Sequence, residues 1–416
     1  MIPAGLDPDG PKRLLERPGV ATCLAALAAE GEETRLVGGC VRDALLGRDA
    51  ADIDFATTHP PAGTLTLAKT AGLKAVPTGF EHGTVTLVVD GAPFEVTTLR
   101  EDIETDGRHA VVRFGRDFAR DAERRDFTIN ALSLGADGHL HDPGDGLRDL
   151  AEGRVRFIGD PATRIREDAL RSLRFFRFDA RFGRGAPDRP ALDAIVAARA
   201  SLDRLSRERI RAELLKLLLA ERAVPAVAVM SETGLLARLL GGVIDLGRLA
   251  RASADPASPA IARLAALAVQ TVEDAERLRE VLRLSKAEHT HLVAYAKALA
   301  ALRGQAQIEA QAMRGLAATY GPDMVAEVLR AIEGEPRPRV EAEALAVLSG
   351  LVAARDTPVL PLGGADLVAR GVPAGRAIGR GLAAARALWL SEGCPMDEAA
   401  RERLIAHALT AAERDD

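Results

Sequence analysis

The stretch LVGGCVRDALLGRDAADIDFATT, residues 36–58, decides how the chain is read. An apolar run ends in two glycines, a short helical segment follows, and two aspartates then flank one isoleucine. Side chains alternate between the faces of a strand. If DIDFATT is a strand, Asp52 and Asp54 point the same way and Ile53 points the other. Two neighbouring carboxylates repel each other, and a hard divalent cation relieves that repulsion. All-oxygen ligands favour Mg²⁺. An isolated Asp-x-Asp also fits a solvated edge strand or an Asp turn. The glycine pair shifts that balance. Gly38 and Gly39 end a strand and open the helix CVRDALLG. Glycines let a ligand approach the backbone, and the N–H groups of a helix start bind phosphate. Arg42, in the first turn, can add a charge-assisted bond to phosphate. The competing reading is a tight turn with a surface arginine. A phosphate site beside a metal pair suggests a nucleoside triphosphate carried with Mg²⁺.

Working outward, the chain has 416 residues, enough for two to four domains. Trp389, Tyr295 and Tyr320 are its only tryptophan and tyrosines, so the core must rest on Leu, Val, Ile and Ala. The abundance of Ala, Leu and Arg favours helix. A formal net charge of −5 excludes a globally basic nucleic-acid binder. A local basic face remains sufficient for RNA. The basic residues are almost all arginine; that suits phosphates and base edges, but a GC-rich genome produces the same bias. Cys23, Cys40 and Cys394 lie far apart, in neither a zinc nor a disulfide pattern. No apolar run reaches a membrane-spanning length, and the N-terminus carries no signal-peptide pattern. A cytoplasmic protein with no membrane partner is expected.

The fold class expected is α+β, a small mixed-sheet head followed by helical domains. Residues 1–160 alternate strand-like runs with turn signals. TVTLVVDGAPFEVTTL reads as a hairpin turning at Asp90-Gly91, and FTINALSLGADGHLHDP as another around Asp137-Gly138. Two helices are predicted there, Pro60 to Ala71 and the segment before Arg124. From about Pro161 the pattern turns helical. PATRIREDALRSLRFFRFDARF reads as one long helix, and SRERIRAELLKLLLAERA as another with Ser206 as its N-cap. Breaks rich in Pro or Gly at 333–341 and 356–375 divide the rest. The domains expected are 1–160, 161–245, 246–355 and 356–416.

The opening stretch resembles the first motif of the polymerase-beta-like nucleotidyltransferases, in particular the class II group of CCA-adding enzymes and bacterial poly(A) polymerases. RRDFTINAL (124–132) resembles the second motif, DPGDGLRDL (142–150) the third, EDALRSLRFFRF (167–178) the fourth and LSRERIRAELLKLLL (205–219) the fifth. All five stand in the family's order. PLGGADLVARGVPAGRAIGRGL is similar to the family's tail segment. The resemblance implies a catalytic head, a helical neck that reads the base, a helical body, and a tail that binds tRNA at its acceptor arm and elbow. It implies attack of an RNA 3′ hydroxyl on a nucleotide α-phosphate. Asp52 and Asp54 would hold two Mg²⁺ ions, and Arg125 would neutralise phosphate charge. Glu95, on the strand FEVTT, is a candidate third carboxylate; a solvent-facing strand residue is the competing reading.

Leu170, Leu173, Phe175, Phe176 and Phe178 spread around much of their helix, which predicts a largely buried element. Buried arginines need partners. A three-residue step falls short of a full turn by about 60°, so Asp168, Arg171, Arg174 and Arg177 would wind around the helix as a spiral. By resemblance, Asp168 and Arg171 read the base, and Arg174 and Arg177 make further nucleotide contacts. For Arg177 a structural network within the neck is the competing role. Cytosine and adenine both present an amino donor beside a ring-nitrogen acceptor, which a carboxylate and a guanidinium complement. Uracil and guanine present the inverse pattern. CTP and ATP are therefore the expected nucleotides.

TGFEHGTVTLVVD lacks the basic signature of the poly(A) branch and looks like the CCA-adding one. TLREDIETDGRHAVVRFG resembles the flexible loop that lets the pocket switch from CTP to ATP. Addition of only the terminal A, or poly(A) tailing, is the alternative within the family. His141-Asp142 runs into the third motif, and His289, His291 and His407 do not supply the spaced pattern, so no appended HD phosphohydrolase is expected. A small-molecule nucleotidyltransferase is disfavoured by the second and fourth motifs, and a silent RNA-binding protein by intact Asp52 and Asp54.

Overall fold

The computed structural model describes residues 2–50, 52–105 and 110–413. The chain divides into two compact units, Met1–Leu235 and Leu236–Asp416.

The first unit is built on a seven-stranded mixed sheet. Its strands run in the order Lys74–Gly79, Thr84–Val89, Ala92–Thr98, Asp54–Thr57, Thr34–Val37, Ser133–Gly135, Leu140–His141. Neighbours are antiparallel, except that the Asp54 strand runs parallel to the Ala92 strand. The Asp-Gly signal is met in full: Asp90 (φ 51°) and Gly91 (φ 81°) are both left-handed, as a two-residue primed turn demands. The register aligns Val85, Val96, Phe55, Leu36 and Leu134 in one cross-strand row, and all five are buried. One residue along each strand the side chains face the other way. That row sets Asp54 directly beside Glu95, with Thr86 next to Glu95. The apolar row thus presents the carboxylates on the opposite face.

The predicted helices are Pro61–Thr70 and Phe118–Glu123 in the head. The third-motif segment is architectural. The Asp142 carboxylate accepts from the N–H groups of Gly144, Gly146 and Leu147 and starts the helix Gly146–Glu152. Buried Asp149 accepts from Thr128 Oγ1 and Arg156 Nε, each at 2.6 Å.

The single long helix expected over 161–182 is instead two, Pro161–Glu167 and Leu170–Phe182. The chain extends at Asp168 (φ −148°, ψ 108°). The cause is local: the Asp168 carboxylate takes the Leu170 N–H at 3.0 Å, offering the backbone an alternative to the helix. Asp168 therefore stands at the head of the second helix, and the spiral along it begins at Arg171. That helix is buried around most of its circumference, as its apolar spread predicts. Phe175 and Phe178 pack on Phe127 with ring centroids 6.3 and 5.2 Å away, tying it to the second-motif segment. Behind it lies Arg207–Leu218; Ser206 occupies its N-cap position without a side-chain bond.

The second unit is helical, apart from a short parallel pairing of Gln307–Ile308 with Arg339–Val340. Buried Arg248 is held by both oxygens of Glu335 at 2.6 and 3.0 Å. Helices Arg376–Ser391 and Glu398–Ala412 pack closely at Gly381, where a β-carbon would meet the Ala408 carbonyl at 2.9 Å. Trp389 is buried beside Leu367, Leu404 and Ile405. No described helix is long and apolar enough to cross a membrane.

Candidate active site

The carboxylate face of the sheet opens into a cleft of about 250 Å³, lined by Asp54, Glu95, Thr97, Asp121, Arg124 and Arg125 among others. Asp54 opens its strand and is half-buried; Glu95 opposite it is exposed. Burial pushes the Asp54 carboxyl upward, and the charges of Glu95 and Asp52 add to that, while Arg125 opposes it. The strand begins at Asp54, so Asp52 lies in the bend before it and is exposed. Ile53 is buried and Glu95 N–H bonds to its carbonyl at 3.3 Å, so sheet pairing still reaches that bend.

Among the described residues no basic side chain is ion-paired with Asp52, Asp54 or Glu95. Nor do three potential ligands among those residues close into a metal cage. Crowded, unpaired carboxylates with open positions fit Mg²⁺, which takes one or two carboxylates and draws its other ligands from water and phosphate.

The opposing wall is cationic. Arg124 gives Nε and Nη2 to Asp121 Oδ1 at 2.9 and 2.6 Å. Arg125 reaches Asp121 Oδ2 at 3.4 and 3.3 Å and the Asn130 carbonyl at 3.4 Å. Its guanidinium lies against Gly38, which has φ 73° and ψ −121° and leads into the helix Gly39–Leu45. Gly39 is the first residue of that helix.

Arg42 faces inward. It is 6% exposed. It gives Nη1 to Asn130 Oδ1 at 2.5 Å and Nε and Nη2 to Asp43 Oδ1 at 2.9 and 2.7 Å. Its guanidinium stands 4.2 Å from the centre of the Phe182 ring. Burial pushes its pKa down, against the pull of Asp43.

Asp168 and Arg171 are both half-buried, each with its own partner. Arg209 Nη2 donates to Asp168 Oδ2 at 2.7 Å. Arg171 gives Nη1 to Glu167 Oε2 at 2.6 Å and Nη2 to the Arg124 carbonyl at 3.0 Å. Arg174 pairs with Asp126 at 2.5 Å, and Arg177 with Glu213 at 2.5 Å. Both also cover the Phe178 ring, at 5.3 and 4.4 Å. The structure thus brings Asp54, Glu95 and Arg125 to one cleft and joins Arg171 to its wall. It turns Arg42 to the interior and pairs Arg174 and Arg177 with acids.

Five partners were absent from the sequence reading: Asp121, Asp126, Glu167, Arg209 and Glu213. Asp121 and Glu167 stand three or four residues from the arginines they hold, a spacing that signals helical pairs. Nothing local marks Arg209 or Glu213. The segment resembling a switching loop forms an antiparallel pair, Arg100–Thr105 with Ala110–Phe114, and its tip at 106–109 lies outside the described residues.

Comparison with known proteins bears on this geometry. Residues 34–156 match the family described as the poly A polymerase head domain. Residues 188–244 match the probable RNA and SrmB-binding site of polymerase A. The chain is 45% identical over 206 residues to the mitochondrial CCA tRNA nucleotidyltransferase 1 of Danio rerio, covering 49% of this chain and 48% of that one. It spans about half the length of the first curated relatives it matches. Against the CCA-adding enzyme of Lactiplantibacillus plantarum, identity is 34% over 319 residues, 74% of this chain and 77% of that one. The fold matches a crystal structure of the Bacillus stearothermophilus CCA-adding enzyme in complex with CTP. There the TM-score is 0.73, with 25% identity over 97% of this chain and 98% of that one.

Proposed function

Because the chain belongs to the family of CCA-adding enzymes and poly(A) polymerases, we propose that it adds CCA, from CTP and ATP, to the 3′ end of tRNA without a nucleic-acid template. The tRNA 3′ hydroxyl attacks the nucleotide α-phosphate, the new P–O bond forms, and pyrophosphate leaves. Asp52 and Asp54, with Glu95 beside them, would hold two Mg²⁺ ions, which supply activation of the hydroxyl and neutralisation of the triphosphate. Arg125 meets the developing phosphate charge from the opposite wall. Arg42 acts through Asn130, whose carbonyl receives Arg125 and whose side chain Arg42 holds.

Asp168 accepts the amino proton of cytosine or adenine, and Arg171 donates to the ring nitrogen. Uracil and guanine present the inverse pattern, so neither side chain finds its complement on the base, a mismatch that hydrogen-bonding sites use to reject analogues. Arg209 orients the Asp168 carboxylate as an acceptor. One contact carries this reading above the rest: Arg171 Nη2 on the Arg124 carbonyl at 3.0 Å. It sets a base-reading donor one residue from Arg125 in the charged cleft. The helical second unit takes the acceptor arm and elbow of tRNA through arginine–phosphate contacts, so binding weakens with salt.

The test is incubation with tRNA lacking its 3′ CCA and each labelled nucleotide in turn. CTP and ATP are incorporated, UTP and GTP are not, and addition stops at the completed end. Incorporation of neither CTP nor ATP overturns the reading, and long A tails select the poly(A) branch instead.

A further inference from the structure

The cleft contains one carboxylate that the reaction above does not use. Asp121 sits on the helix Phe118–Glu123 with its side chain 5% exposed. Its two oxygens serve different arginines. Oδ1 takes both nearby nitrogens of Arg124 at 2.9 and 2.6 Å. Oδ2 meets Arg125 only at 3.4 and 3.3 Å. Charge-assisted N–H···O bonds are strongest near 2.7–2.9 Å. The first pair is therefore a tight clamp and the second a loose one. What each arginine does next also differs. The Arg124 carbonyl receives Arg171, the base reader. Arg125 lies against Gly38 and faces the cleft that Asp54 and Glu95 line.

We propose that Asp121 is a positioning residue for nucleotidyl transfer: it clamps Arg124, and so the seat of Arg171, while holding Arg125 loosely enough to pass to the incoming triphosphate. This rests on the reaction proposed above. The triphosphate carries more negative charge than one carboxylate oxygen with two long bonds, so it wins Arg125 on arrival. Asp121 has a second effect. The other carboxylates lining the cleft with Arg124 and Arg125 are Asp54 and Glu95. With Asp121 neutralised, both guanidiniums turn toward that pair and compete with the cation for it. Nucleotide attraction then rises, because the cleft gains one positive charge, while the productive arrangement is lost.

The test compares the full-length protein with Asp121→Asn and Asp121→Glu. CTP incorporation into tRNA lacking CCA is measured across Mg²⁺ concentrations, and CTP binding by calorimetry with and without Mg²⁺. For Asp121→Asn we expect kcat to fall about tenfold or more, as for a displaced transition-state contact. KM for CTP stays level or drops, and half-saturating Mg²⁺ rises severalfold. Without Mg²⁺ the variant binds CTP at least as tightly as wild type, and added Mg²⁺ tightens that binding less. Asp121→Glu, which restores a carboxylate, recovers part of kcat and of the Mg²⁺ response. An Asn variant with kcat and Mg²⁺ response within about twofold of wild type overturns the proposal. So does a rise in KM with kcat unchanged. If the Asn variant does not fold, the Glu variant decides: Mg²⁺ response and kcat lost as completely as RNA binding would mean a merely structural role. Wild-type protein that incorporates neither CTP nor ATP sinks the reaction instead, and the calorimetric comparison then decides the role of Asp121 by itself.

Discussion

Gly38 and Arg125 occupy adjoining space: a β-carbon on Gly38 would stand 2.8 Å from Arg125 Nη1. The glycine thereby leaves room for the guanidinium that shares a cleft with Asp54 and Glu95, and its own backbone is one that other residues resist. Gly39 differs. The nearest neighbouring atom, Arg42 Nη2, lies 3.6 Å from where a β-carbon would be, an ordinary contact. We expect Gly38→Ala to lower kcat/KM about tenfold or more, with a strain cost of about 1–3 kcal/mol in stability. Gly39→Ala should keep most activity and stability. Equal damage from both, in parallel kinetics and thermal melts, would refute the Arg125 contact as the reason for Gly38.

Asp54→Asn keeps the size of the side chain and removes its charge. Incorporation of CTP should drop by about a thousandfold or more if Asp54 holds the metal as proposed. Filter binding of tRNA should change little, because Asp54 lies on the sheet face of the first unit. Near-normal turnover in this variant would remove the metal assignment.

Base choice should fail when its acceptor is removed. Asp168→Ala removes the hydrogen bond to the base proposed above and frees Arg209. The preference for CTP over UTP, measured as the ratio of kcat/KM values, should fall about ten- to a hundredfold, the worth of about 1.5–3 kcal/mol. An unchanged ratio would place base reading elsewhere.

Glu213 and Arg177 form a pair whose side chains are 8% and 13% exposed. Glu213→Ala strands a mostly buried guanidinium, so unfolding in urea should show a loss of about 3–5 kcal/mol. Replacing both residues with apolar ones should recover much of that loss. A double variant as unstable as the single one would argue against the pair as the cause.

Asp179 is buried on the helix Leu170–Phe182, and burial lifts its pKa to about 6, against the pull of Arg222. The folded value lies above the ordinary one, so the protonated form is the one the fold favours. Its contribution to stability is full below about pH 3.8 and is lost as pH rises through about 6. Asp179→Asn should flatten the stability profile across that window and raise stability at pH 7 by on the order of 1–3 kcal/mol. Parallel profiles for the two proteins would show that Asp179 ionises freely in the fold.

Particular residues show where the sequence was readable. The Asp90-Gly91 hairpin, the helix before Arg124 and the burial of Phe175, Phe176 and Phe178 all follow from local chemistry. Turn conformation and amphipathic period are properties of a few consecutive residues. The break at Asp168 was missed because helical periodicity runs straight through it, while one carboxylate diverts the backbone.

By itself, the sequence determined the five ordered motifs, the mixed-sheet head ahead of helices, and the aspartates as a candidate metal pair. Tertiary structure alone decided which charges meet. Arg42 finds Asn130 across 88 positions, and Asp168 finds Arg209 across 41. Such pairs leave no periodic trace, because the chain between them sets their distance only by folding. An arginine beside a glycine turn reads the same whether it reaches phosphate or turns inward. Here Arg42 turns inward, buried against Phe182 with Asn130 and Asp43 as its partners.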